Sequence, residues 1–269
     1  MNLWLILEYS FVQRAIITGV FVAILCSSLG LFLVLRRLSL IGDGLSHVAF
    51  GSIAVGIFLG IYPLYVAIPL VVLGSIFILK LTKKAKIYGD AAIGIVSSVA
   101  LSAGIILANV AGGFNVDLLS YLFGNILAVS KAEMLVSIGL SLLVVTMVYF
   151  YYYELLSVSF NEDLAHITGI KTERVTTLLI VLTAITVVLS VRIVGILLIS
   201  SLLIFPSITA LQISHSFRGT IFMSIFIAIV SLIVGILVSF IFDLPTGAVI
   251  VMANFVLFVF VSLLARRAK

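Results

Sequence analysis

Long apolar runs separated by short charged stretches organise this chain from one end to the other. Counting the runs between those stretches gives nine candidate spans, near 11–35, 41–61, 63–82, 91–111, 133–153, 174–191, 193–213, 219–241 and 245–265. Each approaches the ~20 residues a helix needs to cross a hydrocarbon core of ~30 Å. Outer-membrane strands would alternate over about ten residues, and these runs do not. The pattern therefore predicts an all-α, polytopic membrane bundle of eight or nine helices. Eight is the count if Met1–Arg14 lies along the interface as an amphipathic segment. The apolar stretch Leu119–Val129 is too short to span and reads as re-entrant or interfacial. Pro206, inside the run from Gly195 to Pro206, predicts a kink or a break into half-helices. Gly56-x-x-x-Gly60 resembles a helix-packing motif, a spacing common in membrane helices.

Composition agrees with the pattern. Of 269 residues, 64% are hydrophobic and 9% charged, and the mean hydropathy is +1.43. Soluble domains are nearer a quarter charged. Four prolines and scattered glycines leave no stretch for a linker or a soluble domain, so residues 1–269 read as one transmembrane domain. No cleavable leader is expected, because the first run is too long and lacks a small-residue cleavage site. The single cysteine, Cys26, excludes an intrachain disulfide.

The net charge of +5 does not point to nucleic acid, because the basic residues sit at span ends. With the N-terminus outside, Arg36, Arg37, Lys80, Lys83, Lys84, Lys86, Lys171, Arg174, Arg218, Arg266, Arg267 and Lys269 are cytoplasmic. Only Arg14, Lys131 and Arg192 remain outside. That positive-inside bias sets the orientation and places the C-terminus in the cytoplasm.

Candidate chemistry is sparse. No G-x-x-x-x-G-K-[ST], H-E-x-x-H or G-x-S-x-G occurs, so P-loop, zincin and serine-hydrolase chemistry find no signature. His166 and His215 fall in a polar segment and a short loop, where they read as interfacial. Of the 10 acidic residues, all but Asp43 lie in loops or at clear span ends. Asp43 and His47 are four apart, so on a helix they share one face. Carboxylate oxygen and imidazole nitrogen suit first-row divalent cations. A plainer reading makes Asp43 an N-cap with His47 paired to it one turn inside, and both readings stand. Zn²⁺ takes four ligands, so a functional site would need a second copy of the pair, brought in by a twofold axis.

Ser159–Ile170 is polar and shaped like a short helix. Asn161 suits the N-cap, Glu162 and Asp163 the first turn, and Gly169 the stop.

Several short motifs together resemble the permease subunits of metal-importing ABC transporters, the zinc/manganese/iron group known as ABC-3. They are Ser39-Leu40-Ile41-Gly42-Asp43-Gly44-Leu45-Ser46-His47, Asp90-Ala91-Ala92-Ile93-Gly94-Ile95 and Leu122-Phe123-Gly124-Asn125-Ile126-Leu127. Asn161-Glu162-Asp163-Leu164-Ala165 with Gly169, Val194-Gly195-Ile196-Leu197-Leu198 and Leu244-Pro245-Thr246-Gly247 continue in the family's order. One departure is Phe50 before Gly51, where members of the family often carry proline.

The resemblance implies a type II importer fold like that of cobalamin and siderophore permeases, in the cytoplasmic membrane of a prokaryote. It implies a homodimer, two copies of a separate P-loop ATPase and an extracytoplasmic metal-binding protein. The permease itself is no enzyme and keeps no resident cofactor; Zn²⁺, Mn²⁺ or Fe²⁺ is its cargo. Asp43 and His47 become residues of the ion path. Glu162, Asp163, Leu164, Ala165 and Gly169 become the helix coupled to the ATPase. The alternatives are a cobalamin, haem or siderophore permease, whose cargo needs a wider pore, and an ion-coupled transporter in which Asp43 carries a proton.

Overall fold

A computed structural model describes residues 9–85, 87–112, 124, 129–196 and 199–267. Its helices are α1 (Ser10–Leu35), α2 (Ile41–Phe58), α3 (Pro63–Lys84), α4 (Gly89–Val110) and α5 (Lys131–Phe150). They continue as α6 (Tyr152–Phe160), α7 (Glu162–Ile167), α8 (Thr172–Val194), α9 (Ile199–Ile213), α10 (Phe217–Phe242) and α11 (Thr246–Arg267). Among the described residues there is no strand, and 8 helices are long and apolar enough to cross a membrane. Residues 1–8 and most of 119–129 lie outside the described residues, the latter stretch being the one expected to be re-entrant.

The run at 193–213 gives a shorter helix than expected, which still returns the chain to the end where Arg218 meets Tyr153. Helix α8 continues past Arg192 to Val194 and ends at Gly195, whose φ of +86° and ψ of 160° are essentially confined to glycine. Only 15 residues remain for α9, roughly 22 Å of helix. The break expected at Pro206 therefore falls earlier, and Pro206 is carried inside α9, where it is buried. A proline deletes one backbone hydrogen bond, which neighbouring helices make good in a bundle; a glycine-only backbone turn redirects the chain. The Gly56/Gly60 pair likewise forms a turn and not a packing seam: Gly60 has φ +66°, and Ile61 N–H donates to the Gly56 carbonyl at 3.0 Å.

Burial sorts the helices into an inner and an outer set. Helices α1, α2 and α8 are each 72% buried over their most apolar stretch, against 11% for α11. Helix α2 lies against α4 and α3, and also meets α8 and α9. Its contact with α4 is backbone to backbone: a Cβ on Gly51 would collide with the Ala100 carbonyl, and one on Gly104 would lie 2.8 Å from Gly51 Cα. Gly44 meets Ile93 and Gly51 meets Ala100 in the same order along both chains, so α2 and α4 run parallel. Polar side chains join other helices, as small-residue and hydroxyl contacts do where lipid gives no hydrophobic drive between helices. The Ser231 hydroxyl donates to Asn254 Oδ1 at 2.9 Å between α10 and α11, and Cys26 Sγ lies 3.3 Å from Ser190 Oγ between α1 and α8.

Three contacts gather charged residues at one end of the bundle. Arg36 Nη2 meets Glu162 Oε2 at 2.7 Å, Lys83 Nζ meets Glu173 Oε1 at 3.0 Å, and Arg218 Nη2 donates to Tyr153 Oη at 3.0 Å. Arg36, Lys83 and Arg218 are residues that the charge count assigned to one side. At the other end the Tyr62 hydroxyl donates to Glu133 Oε1 at 2.5 Å, tying the α2–α3 turn to the start of α5. The α1–α2 connection is a tight Schellman turn: Leu38 N–H reaches the Leu33 carbonyl at 2.9 Å and Arg37 N–H the Val34 carbonyl at 3.1 Å. Arg37 occupies the left-handed position with φ +57°, where glycine is usual and another residue costs about 1 kcal/mol.

The α2–α4 contact makes a prediction. Gly51→Ala, which drives a methyl into the Ala100 carbonyl, should cost about 1–3 kcal/mol and lower the melting temperature of the purified protein. Gly94→Ala, which faces open space in this chain, should leave it unchanged. Equal melting of the two variants would contradict the packing.

Candidate functional site

Asp43 is not the N-cap of α2. That position belongs to Leu40, which makes no side-chain cap, and Asp43 sits inside the first helical turn. There its charge complements the helix N-terminus while both carboxylate oxygens stay free to point away from the backbone. The Ser46 hydroxyl donates to the Asp43 carbonyl at 2.7 Å, occupying the backbone and not the carboxylate.

His47 lies one turn further on, with Nε2 at 3.7 Å from Asp43 Oδ2. That is too long for a hydrogen bond. It suits a shared ligand: atoms so spaced can each bond one cation at about 2.1 Å with an angle of about 120° at the ion. The second imidazole nitrogen, Nδ1, is buried with no hydrogen-bond partner among the described residues. A buried orphan of this kind is uncommon and calls for a partner such as water or an ion.

The neighbours of α2 explain why this edge stays open. Gly42 packs on Leu203 and Ser200 of α9, Gly44 on Ile93 of α4, and Val48 on Gly74 of α3. At 100° per residue, Asp43 and His47 project between the α9 and α4 contacts. Their side chains are 51% and 24% exposed, respectively, within an otherwise buried stretch of α2. Sequence reasoning missed Ser200, whose hydroxyl is buried with no partner among the described residues beside Gly42; a serine in an apolar run carries no spacing signal. Among the described residues no group of three or more His, Cys, Asp and Glu gathers.

The short helix α7 forms as its sequence predicts. Asn161 Oδ1 accepts from Leu164 N–H at 3.0 Å, and Gly169, at φ +88°, lets Ile170 N–H close on the Ala165 carbonyl at 3.1 Å. The five residues expected to couple the chain to an ATPase are not alike in exposure. Leu164 is 60% exposed and Asp163 is also exposed, but Ala165 is 3% exposed and packs inward. Glu162 turns back to Arg36, and Gly169 shapes the turn. Ile167, at 79% exposed, was overlooked and is the most prominent apolar side chain of the helix. A hollow of about 500 Å³ opens beside it, lined in part by His166, Lys171 and Arg174. Burial pulls the Arg36 guanidinium below its ordinary pKa, and the Glu162 carboxylate pushes it back up.

The described residues form an all-helical bundle of membrane-length helices, with an open Asp43–His47 edge on an inner helix and a capped short helix at the charged end. The chain belongs to the ABC 3 transport family, whose pattern matches residues 8–265. It is 32% identical over 246 residues to the high-affinity zinc uptake system membrane protein ZnuB of Haemophilus influenzae, covering 91% of this chain and 94% of that protein. It is 34% identical to the manganese import system permease protein ScaB of Streptococcus gordonii, covering 93% and 90%. Among solved structures, PsaBC from Streptococcus pneumoniae in complex with Fab matches with a TM-score of 0.86 at 33% identity, covering 94% of this chain and 91% of that one. An inward-facing metal-chelate type ABC transporter matches with a TM-score of 0.71 at 17% identity, over 93% and 85%, and shares the fold alone.

Proposed function

We propose that this chain is the permease subunit of an ATP-driven importer that carries Zn²⁺ or Mn²⁺ across the cytoplasmic membrane. The observation that carries this reading is the pair of Asp43 Oδ2 and His47 Nε2, 3.7 Å apart on an open edge of an inner helix. Names of relatives in both the zinc and the manganese groups support it.

The donor set suits a bare divalent ion, with one hard oxygen and one borderline nitrogen. A wide organic cargo would need no such pair. Two chains meeting on a twofold axis bring two carboxylates and two imidazoles to one passage, enough to replace part of a hydration shell. Binding there must be modest, since a site that held the ion tightly would not release it. An extracytoplasmic metal-binding protein would then supply the capture affinity.

Energy enters from outside the chain, because no nucleotide-binding loop is present in the sequence. Helix α7 is the part shaped to receive it: rigidly capped at both ends, projecting at the positively charged end, and showing Leu164 and Ile167 outward. Two ATPase subunits, one per permease chain, would seat these apolar side chains in grooves and transmit closure as rigid-body motion.

Two outcomes test this. In proteoliposomes holding permease and ATPase, Asp43→Ala and His47→Ala should abolish metal uptake while the ATPase remains bound; uptake at the unsubstituted rate in either variant contradicts the ion path. Competition among Zn²⁺, Mn²⁺ and Fe²⁺ in the same vesicles assigns the cargo. Ile167→Asp should cost at least about 2 kcal/mol of ATPase association, as loss of an apolar anchor does. Undiminished co-purification would contradict α7 as the docking element.

A further inference from the structure

The contacts of Arg36 point beyond orientation in the membrane. One guanidinium bonds two elements at once: Nη2 reaches Glu162 Oε2 at 2.7 Å, and Nη1 donates to Thr176 Oγ1 at 2.7 Å. Glu162 opens α7, and Thr176 lies in the second turn of α8, where its own hydroxyl donates to the Thr172 carbonyl at 2.8 Å. A planar guanidinium held by two partners fixes direction as well as distance. The other links at this end are weaker candidates to carry force. Lys83 and Glu173 are 39% and 79% exposed, and such solvated pairs contribute little. The Arg36 side chain is only 10% exposed.

The backbone beyond Arg36 has little slack. Arg37 is the left-handed residue of the Schellman turn, and Leu38 N–H is bound back to Leu33 of α1. Ile41 N–H then donates to the Leu38 carbonyl at 3.0 Å and Gly44 N–H to the Leu40 carbonyl at 3.1 Å. Backbone hydrogen bonds thus stitch the connection from Arg36 to the first turn of α2. That first turn carries Asp43. A side-chain brace at α7 and a stiff backbone turn together connect the projecting helix to the ion-binding edge.

We propose that Arg36 is a positioning residue that transmits displacement of α7, through Glu162, to the start of α2 and so to the Asp43–His47 pair. When α7 moves with its ATPase, Arg36 moves with it, and α2 shifts relative to α4 and α9 between which the pair projects. The ligands of an ion shared by two chains would then separate or close in step with nucleotide binding. This inference rests on the reading of α7 as the ATPase-docking helix.

The test uses the complete permease–ATPase complex in proteoliposomes and reads metal ions delivered per ATP hydrolysed. Arg36→Glu and Glu162→Arg should each lower that ratio about tenfold with the ATPase still bound, and the double exchange should return it to within about threefold of the unsubstituted complex. A purely structural role would instead lower the melting temperature and leave the ratio intact in the molecules that fold. Should Arg36→Glu fail to fold, Glu162→Ala removes the acceptor from its half-exposed side and should lower the ratio alone. An unchanged ratio in the folded single variants overturns the proposal, as does release of the ATPase by Glu162→Ala or a double exchange that recovers nothing. If the unsubstituted complex itself neither binds ATPase nor moves metal, the docking reading fails, a result distinct from an unchanged ratio.

Discussion

The close packing of α2 is the constraint on which the rest depends. Helices α4, α3 and α9 approach it at Gly51, Gly74 and Gly42, respectively, so near that side chains on those glycines would have no room. At Gly51 the approach of α4 is backbone to backbone, which limits rotation of α2 about its own axis. Asp43 and His47 project between the α9 and α4 contacts, where their side chains stay partly exposed. In hydrocarbon, an ionisable pair so placed would be costly, and such residues characteristically face a bundle interior or a water-filled path. Rigid packing and an open polar edge are two sides of the same arrangement.

That arrangement separates two tasks along the molecule. The outer helices, α11 above all, leave apolar surface exposed, while the inner helices hold polar contacts and the candidate site. At the charged end, Phe217 gathers the rings of Phe32, Tyr152 and Phe160 within 6.0 Å. This cluster seats α6, and with it α7, on the ends of α1 and α10. The projecting helix is therefore part of the bundle's framework and not a loop hanging from it. A docking element that is to move helices needs such seating, since a flexible tether would absorb the displacement.

Much of this was legible in the sequence, for identifiable reasons. Apolar run length and charged punctuation gave the helices, because membrane thickness imposes their length. The Asp43/His47 spacing gave a shared face, and Asn161 with Gly169 marked the two ends of α7. Other features depended on contacts that spacing does not encode. Gly56 and Gly60 have the interval of a packing motif, yet that interval also suits a helix-ending turn. Pro206 drew attention as a breaker, whereas Gly195 ends α8 through a backbone conformation its sequence position does not announce. Arg36 read as one more topological charge. Its bond to Glu162 joins residues 126 apart and appears only when the chain is folded. Ala165 belongs to the same motif as the exposed Leu164, and only the fold shows that it faces the bundle.

The central claim is that a cation is held by Asp43 and His47 during transport. Pulsed electron paramagnetic resonance of Mn²⁺ bound to the purified permease–ATPase complex addresses it directly, because a coordinated imidazole nitrogen couples magnetically to the metal. The account predicts a ¹⁴N coupling that disappears in His47→Ala and persists in His166→Ala and His215→Ala. Bound Mn²⁺ with no nitrogen coupling, or a coupling unaffected by loss of His47, would contradict it.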